Sequence, residues 1–283
     1  MSARWQSLPT PPLRQTLLDR AIRLVALDLD GTLLSPDKSI SPENIAAVQR
    51  LTEMGIRVVL ASGRPHHNML PYHEELGLNG PIVSGNGGVV RDTASGETWK
   101  EELLDWAFTR EVLAEGERVD VTQIWDGPEG VFAVRTSPWS EILAERTRSA
   151  VVAEPVPENG QPYKLLWIDS EETITAYEQT YRAKWGDRSY VVCTDPEYLE
   201  FCPPGTNKAA GLEVVCQHLG ILPSEVLAIG DGDNDAEMLA WAGVSVTPAH
   251  GRPKARAAAS LIGVHGPEET AVARALKPLL SSV

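Results

Sequence analysis

The sequence predicts a doubly wound, mostly parallel α/β core with an inserted α+β unit. One observation is a set of short, nearly continuous apolar runs at residues 22–28, 56–61, 81–84, 226–230 and 244–246. Such runs are expected of strands buried on both faces of a parallel sheet. Another is that helical patterns alternate with them, strand by strand. The last is a change of rhythm after Arg91 that reverts near residue 196.

The elements follow in order. After the first strand, Ser41 is placed to cap a helix and Pro42 suits its first position. Ile45, Val48 and Leu51 then recur every three residues until Gly55 stops it. Residues 65–76 read as a second helix ending before Gly77. Residues 207–219 carry Leu212, Val215, Cys216 and Leu219 on one helical face, with Gly220 as the stop, and residues 235–242 form a short helix. Between the two halves, residues 121–127, 130–136 and 163–169 read as strands, and 101–116 and 171–185 as polar helices. The expected division is a loosely ordered tail at 1–20, a core at 21–91 and 196–283, and an insertion at 92–195.

A length of 283 residues fits two domains at about 150 residues each. With 42% hydrophobic and 23% charged residues the chain has the make-up of a soluble globular protein with a real core. Asp plus Glu outnumber Lys plus Arg by 39 to 25, a net charge of -14. That balance opposes sequence-independent nucleic-acid binding and a polybasic membrane anchor. A small phosphate ester can still bind where a metal ion or placed cations reverse the field locally. No run approaches the ~18 apolar residues of a membrane span, and residues 1–20 lack the apolar segment of a secretory signal. Cys193, Cys202 and Cys216 show no C-x-x-C spacing, so neither a zinc site nor a disulfide framework is expected, and a reducing cytoplasm is. Nothing in the sequence reports the oligomeric state.

Three polar clusters fall at the carboxyl ends of core strands, where open α/β sheets bind ligands. Asp28-Leu29-Asp30-Gly31-Thr32 pairs a candidate nucleophilic carboxylate with a second carboxylate two residues on, suited to acid–base work. Ser62-Gly63-Arg64 is by itself a commonplace strand end. Gly230-Asp231-Gly232-Asp233-Asn234-Asp235 reads as a polar turn capping the next helix through Asn234 or Asp235, or as an acidic site. A calcium loop fails because the sixth position is Ala236 and the twelfth Ala242. Carboxylates gathered at one sheet edge repel one another unless a hard divalent cation sits among them, and Mg²⁺ is expected.

In order, DLDGTLL (28–34), ASGR (61–64), TNKAAGL (206–212) and GDGDND (230–235) resemble the four motifs of the haloacid dehalogenase superfamily of phosphatases. The form of the last motif and the large insertion look like its Cof-type branch, subfamily IIB. PIVSGNGGVV (81–90), YLEFCPPGTNK (198–208) and GVSVTPAHGRPKARAAAS (243–260) agree, and the resemblance covers residues 22 to about 276. The chain departs from the family pattern at Thr247-Pro248-Ala249, where an asparagine usually precedes the alanine.

The resemblance implies a Rossmann-like core, a C2B-type cap and Mg²⁺-dependent hydrolysis of a small phosphorylated metabolite through an aspartyl phosphate. It implies Asp28 as nucleophile and Asp30 as acid and base. The metal falls to the Asp28 carboxylate, the Asp30 backbone carbonyl and Asp231, with Asp235 acting from behind or through water. Ser62, Gly63, Lys208 and Asn234 would hold the phosphate. In the cap, pictured as a small sheet flanked by two helices, Arg135, Lys164, Trp125 and Trp167 are candidates for contact with the leaving group. Arg64 is a further specificity candidate; His66 and His67 after it could line the entrance, though a helix surface is the more ordinary place for them. Strand tryptophans are more often core, and strand lysines more often solvated. The same motifs also fit a phosphotransferase or phosphomutase. A non-catalytic phosphoacceptor module would need only about half this length, and no G-x-S-x-G elbow supports a serine hydrolase.

Overall fold

The computed structural model describes residues 21–128, 130–147 and 150–281; the expected tail at 1–20 lies outside the described residues. In chain order the first half-core holds β1 (Leu24–Leu27), α1 (Pro42–Glu53), β2 (Arg57–Leu60), α2 (His66–Glu75) and β3 (Pro81–Ser84), followed by β4 (Val89–Asp92) and β5 (Thr98–Glu101). Then come α3 (Trp106–Arg118), β6 (Thr122–Gly127), β7 (Gly130–Ala133), α4 (Pro138–Thr147), β8 (Val151–Ala153), β9 (Lys164–Ile168), α5 (Glu171–Trp185), β10 (Tyr190–Asp195) and β11 (Tyr198–Cys202). The chain ends with α6 (Lys208–Leu219), β12 (Val226–Ile229), α7 (Ala236–Trp241), β13 (Val244–Thr247), α8 (Pro253–Ala258), β14 (Leu261–Ile262) and α9 (Ala271–Leu280).

The core sheet is parallel throughout, in the order β14-β13-β12-β1-β2. The apolar runs are continuous because both faces are covered. Val25 and Leu27 pack with Val48, Leu51, Val272 and Leu276, while Leu24 and Ala26 pack with Leu212, Val215 and Met238 on the opposite side. The Ser41 side chain caps α1 by accepting from the Asn44 amide. Asn207 does the same for α6, accepting from Ala210, so Lys208 is the first residue of that helix.

The second sheet runs β10-β11-β9-β6-β7-β8. Alternation along its strands gives it two different faces. Trp125, Leu165, Trp167, Leu199 and Phe201 pack with Phe108, Ile174, Tyr181 and Trp185 from α3 and α5. Ile124, Leu166 and Tyr198 face the other way with Leu143 of α4, and the same strand positions place Asp126, Lys164 and Glu200 on that face. Trp125 and Trp167 are therefore core residues: Trp167 is fully buried among aromatic rings, and the Trp125 indole donates to the Glu154 carbonyl at 2.7 Å.

Three helices, not two, flank this sheet. The third, α4, is weakly amphipathic and so leaves little periodic trace. Its start is nonetheless marked by Ser137 and Ser140, whose hydroxyls accept from each other's amides ahead of and behind Pro138. Strand pairing runs across both expected ends of the insertion. β4 pairs with β3 and β5 pairs with β4 across residue 92, and β11 joins the second sheet beyond residue 195.

Asp126 is almost wholly buried. Burial raises its carboxyl to about 7 from the ordinary 3.8; the Lys164 ammonium opposes the rise and Glu200 adds to it. Between those values the unfolded chain has lost a proton that the native state keeps, so Asp126 costs stability progressively as pH rises from about 4 to 7. Asp126→Asn has no such proton. The variant should gain on the wild type between pH 4 and pH 8 by at most about 4 kcal/mol. Urea unfolding at the two pH values checks this, and an unchanged difference would contradict it.

Candidate active site

The site is built at the carboxyl ends of β1 and β12, which are neighbours in register. Asp28 follows β1 and its amide donates to the Ile229 carbonyl at 3.0 Å; Asp231 follows β12. Between them the chain must turn tightly. Gly31 has φ +80°, and a Cβ on it would lie 2.4 Å from an Asp231 carboxylate oxygen, so no side chain is accommodated there. Thr32 donates from Oγ1 to Asp231 Oδ1 at 2.7 Å, tying the two loops together.

Asp28, Asp231 and Asp235 bring one carboxylate oxygen each to within 4.8 Å of one another. Lys208 reaches them from the start of α6, its Nζ donating to Asp28 Oδ1 and Asp235 Oδ1 at 2.6 Å each. Asp235 spends its other oxygen on the Gly232 amide at 2.8 Å, and its side chain does not cap α7. Lys208 is 0% exposed. Three carboxylates thus share one ammonium. Burial and the neighbouring Asp235 push the Asp28 carboxyl well up against the pull of Lys208, and the same two causes raise Asp231 to about 6. Burial alone would lower the Lys208 ammonium, but Asp235 and Asp28 hold it above its usual range.

Asp30 is placed differently. Arg64 donates from Nε to Oδ2 at 2.6 Å and from Nη2 to Oδ1 at 2.7 Å, and Lys38 donates to Oδ1 at 2.7 Å. Burial would raise this carboxyl, yet the two cations hold it well below the usual carboxylate range. Its side chain stands apart from the three clustered carboxylates.

Around this centre a second network was not visible in the sequence. Asn86, in the left-handed region at φ 53°, accepts on Oδ1 from Asn234 Nδ2 at 2.9 Å and donates from Nδ2 to Glu200 Oε2 at 2.5 Å. Glu200 Oε1 accepts from Lys164 Nζ at 2.6 Å, and Lys164 also donates to the Gly63 carbonyl at 2.7 Å. Ser62 sits between these groups, its hydroxyl accepting from the Arg64 amide at 3.2 Å and its carbonyl from the Asn86 amide at 3.0 Å. The departure at Thr247-Pro248 leaves its loop on the site: His250 Nε2 lies 2.7 Å from the Gly31 carbonyl, and the Arg252 amide donates to the Asp231 carbonyl at 2.8 Å.

A cavity of about 460 Å³ opens over the centre. Asp28, Asp30, Ser62, Gly63, Arg64, Asp231 and Asn234 line it from the core sheet, and Lys164, Asp126 and Glu200 from the second sheet. Arg146 of α4 also lines it, its guanidinium over the Tyr198 ring; it was missed because its helix was. Arg135 is not brought here. It pairs with Asp120 at 2.5 Å beside a separate groove against α3. His66 and His67 do not line the cavity either, although Pro65 and Asn68 on both sides of them do. No helix among the described residues is long and apolar enough to cross a membrane.

Known proteins resemble this chain in sequence and fold. The sequence model of the haloacid dehalogenase-like hydrolases matches residues 25–276. An HMP-PP phosphatase of Serratia proteamaculans is 30% identical over 265 residues, covering 92% of this chain and 96% of its own. The 5-amino-6-(5-phospho-D-ribitylamino)uracil phosphatase YitU of Bacillus subtilis is 29% identical over 273 residues, covering 91% and 97%. A crystal structure of a haloacid dehalogenase-like hydrolase from Bacteroides thetaiotaomicron superposes with a TM-score of 0.79 at 28% identity, covering 91% of this chain and 99% of that one. The parallel core, the sheet above it and the matched length place the chain in the family of haloacid dehalogenase-like hydrolases.

Proposed function

We propose that the chain is a Mg²⁺-dependent phosphatase of small organic phosphomonoesters in which Asp28 carries the phosphoryl group between two half-reactions. The observation that carries this reading is the convergence of Asp28, Asp231, Asp235 and Lys208 beneath a cavity roofed by a second sheet. Both curated relatives named above carry the names of phosphatases, one of them acting on a phosphoribitylamino-uracil, which supports the substrate class. A net charge of -14 supports a small-molecule partner over nucleic acid. Three free thiols, Cys193, Cys202 and Cys216, support a reducing compartment, the cytoplasm. Strand pairing supports a division into a core up to about residue 101 and from 203, with the cap between.

The donor set fits Mg²⁺. Three carboxylates, two of them buried, share one ammonium, which leaves two negative charges without a counter-charge when all three are ionised, and the oxygens suit a hard cation. Lys208 holds one oxygen of Asp28 and Thr32 one oxygen of Asp231, whereas both oxygens of Asp235 accept hydrogen bonds. Asp28 and Asp231 would therefore hold the ion with the Asp30 carbonyl, and Asp235 would orient Lys208. When bound, Mg²⁺ would supply charge neutralisation at the phosphoryl oxygens.

The Asp28 carboxylate attacks phosphorus as the bond to the substrate's alkoxide oxygen breaks, and water then cleaves the aspartyl phosphate to inorganic phosphate. Lys208 offsets charge on the transferring group, and Ser62, the Gly63 strand end and Asn234 hold its oxygens. The Arg64 and Lys38 contacts favour ionised Asp30, the form that accepts a proton from the attacking water. To protonate the leaving oxygen first, Asp30 must loosen the Arg64 clamp and take up a proton.

Asp28→Asn keeps the shape but not the nucleophile, so phosphate release should fall at least ~10³-fold. Retention of a tenth of the wild-type rate by the folded variant would overturn the assignment. Asp231→Ala should raise the Mg²⁺ concentration needed for half-maximal rate, and a chelator should stop turnover while the circular dichroism of the fold persists. Full activity in excess chelator would contradict the metal reading. Assays with and without an acceptor sugar separate hydrolysis from phosphoryl transfer: added sugar should leave phosphate release unchanged.

A further inference from the structure

The cap face that roofs the cavity carries one acceptor with nothing to accept from. Asp126 lies on β6 opposite Lys164 of β9 and Val131 of β7, beside Ile124, Leu166 and Leu143. Its side chain is 4% exposed and lines the cavity. Its neighbours are already committed. Lys164 gives its hydrogen bonds to Glu200 and the Gly63 carbonyl and stands 4.0 Å from Asp126 Oδ2, beyond hydrogen-bond length. Glu200 is taken up by Lys164 and Asn86. Asp126 Oδ1 has no hydrogen-bond partner among the described residues. A buried oxygen without a donor costs free energy, and that cost is relieved when a ligand brings one.

We infer that Asp126 is the specificity-determining residue of the cap, reading a hydroxyl or amino donor on the leaving group while Ile124, Leu166 and Leu143 take its apolar face. The inference rests on the phosphatase reading above and deepens it. On that reading the phosphoryl group binds at the core loops, so the part of the substrate that meets the cap residues lining the cavity is the alcohol. An ester whose alcohol carries a donor offers a hydrogen bond to the Asp126 carboxylate once the side chain turns Oδ1 toward the cavity. An ester with a bare hydrocarbon in the same place leaves it unsatisfied and gains nothing from the carboxylate. Discrimination between two such esters is therefore assigned to one side chain, and it requires no contact with the phosphoryl group.

The test, run at pH 8 where Asp126 is ionised, compares benzyl phosphate with its hydroxymethyl- and aminomethyl-substituted counterparts and with a pentose 5-phosphate. In Asp126→Asn the amide oxygen turns to the Lys164 ammonium and the NH2 group to the cavity, which exchanges an acceptor for a donor at nearly constant shape. In Asp126→Leu the polar group is gone. For both variants kcat/KM should drop about ten- to a hundredfold on the donor-bearing esters, the range of a hydrogen bond to a charged group. The loss should appear in KM more than in kcat, and the rate on benzyl phosphate should stay within about twofold of wild type. An equal loss on every ester would mark Asp126 as merely structural and overturn the inference, as would unchanged discrimination in both variants. If the wild-type protein releases phosphate from none of the esters, the phosphatase reading fails first and takes the inference with it.

Discussion

Lys208 is the interaction on which the rest of the centre depends. Its ammonium is buried with no exposure and bridges Asp28 and Asp235, which come from opposite halves of the chain. Removing one partner of such a buried set leaves uncompensated charge at a cost of about 3–5 kcal/mol. The fold therefore has to deliver all of them at once. Parallel pairing of β1 with β12 brings Asp28 and Asp231 side by side, the Asn207 cap starts α6 at Lys208, and Gly31 lets the two loops approach. Even so the balance stays negative, which is why burial and Asp235 push the Asp28 and Asp231 carboxyls up. A site that needs more positive charge than its own lysine supplies is suited to a divalent cation, which also offsets the charge of an anionic ligand.

The cap is coupled to that centre by side chains rather than by a shared sheet. From Asn234 the hydrogen bonds run through Asn86 and Glu200 to Lys164 and back to the Gly63 carbonyl. Two of these links, Asn86 to Glu200 and Lys164 to Gly63, join a core loop to β11 or β9, so the cap strands are registered against the core loops around residues 63 and 86. Low local dielectric strengthens such a chain and makes each unmet member costly. Asp126 stands outside this chain of hydrogen bonds, its Oδ1 without a donor among the described residues, on the cap face that lines the cavity.

The sequence made the core legible for a physical reason. Strands buried on both faces must be apolar at every position, and acidic residues clustered at their ends then stand out, as Asp28, Asp30 and Asp231 did. Ser41 and Pro42 announced α1 because capping is local chemistry. The cap was less legible because its strands bury an apolar face on helices and a polar face on the core, so Trp125 and Lys164 look alike in sequence and point in opposite directions. Arg135 looked like a substrate contact on the same strand pattern but pairs with Asp120 away from the cavity. Asn86, Glu200 and Asp126 matter through contacts with residues far along the chain, Asn86 and Glu200 being 114 positions apart. Local pattern does not carry such pairings. The Arg64 clamp on Asp30 was likewise invisible, though both residues lay in recognised motifs.

The central claim is that this cluster makes Asp28, and no neighbouring carboxylate, the phosphoryl acceptor. Acid-quenching the enzyme during turnover of a phosphomonoester and mapping the acyl phosphate by mass spectrometry tests it most directly. The account predicts a phosphorylated peptide with the group on Asp28 and on none of Asp30, Asp231 or Asp235. Rapid phosphate release with the group found on one of those three carboxylates, or with no acyl phosphate at any quench time, would contradict it.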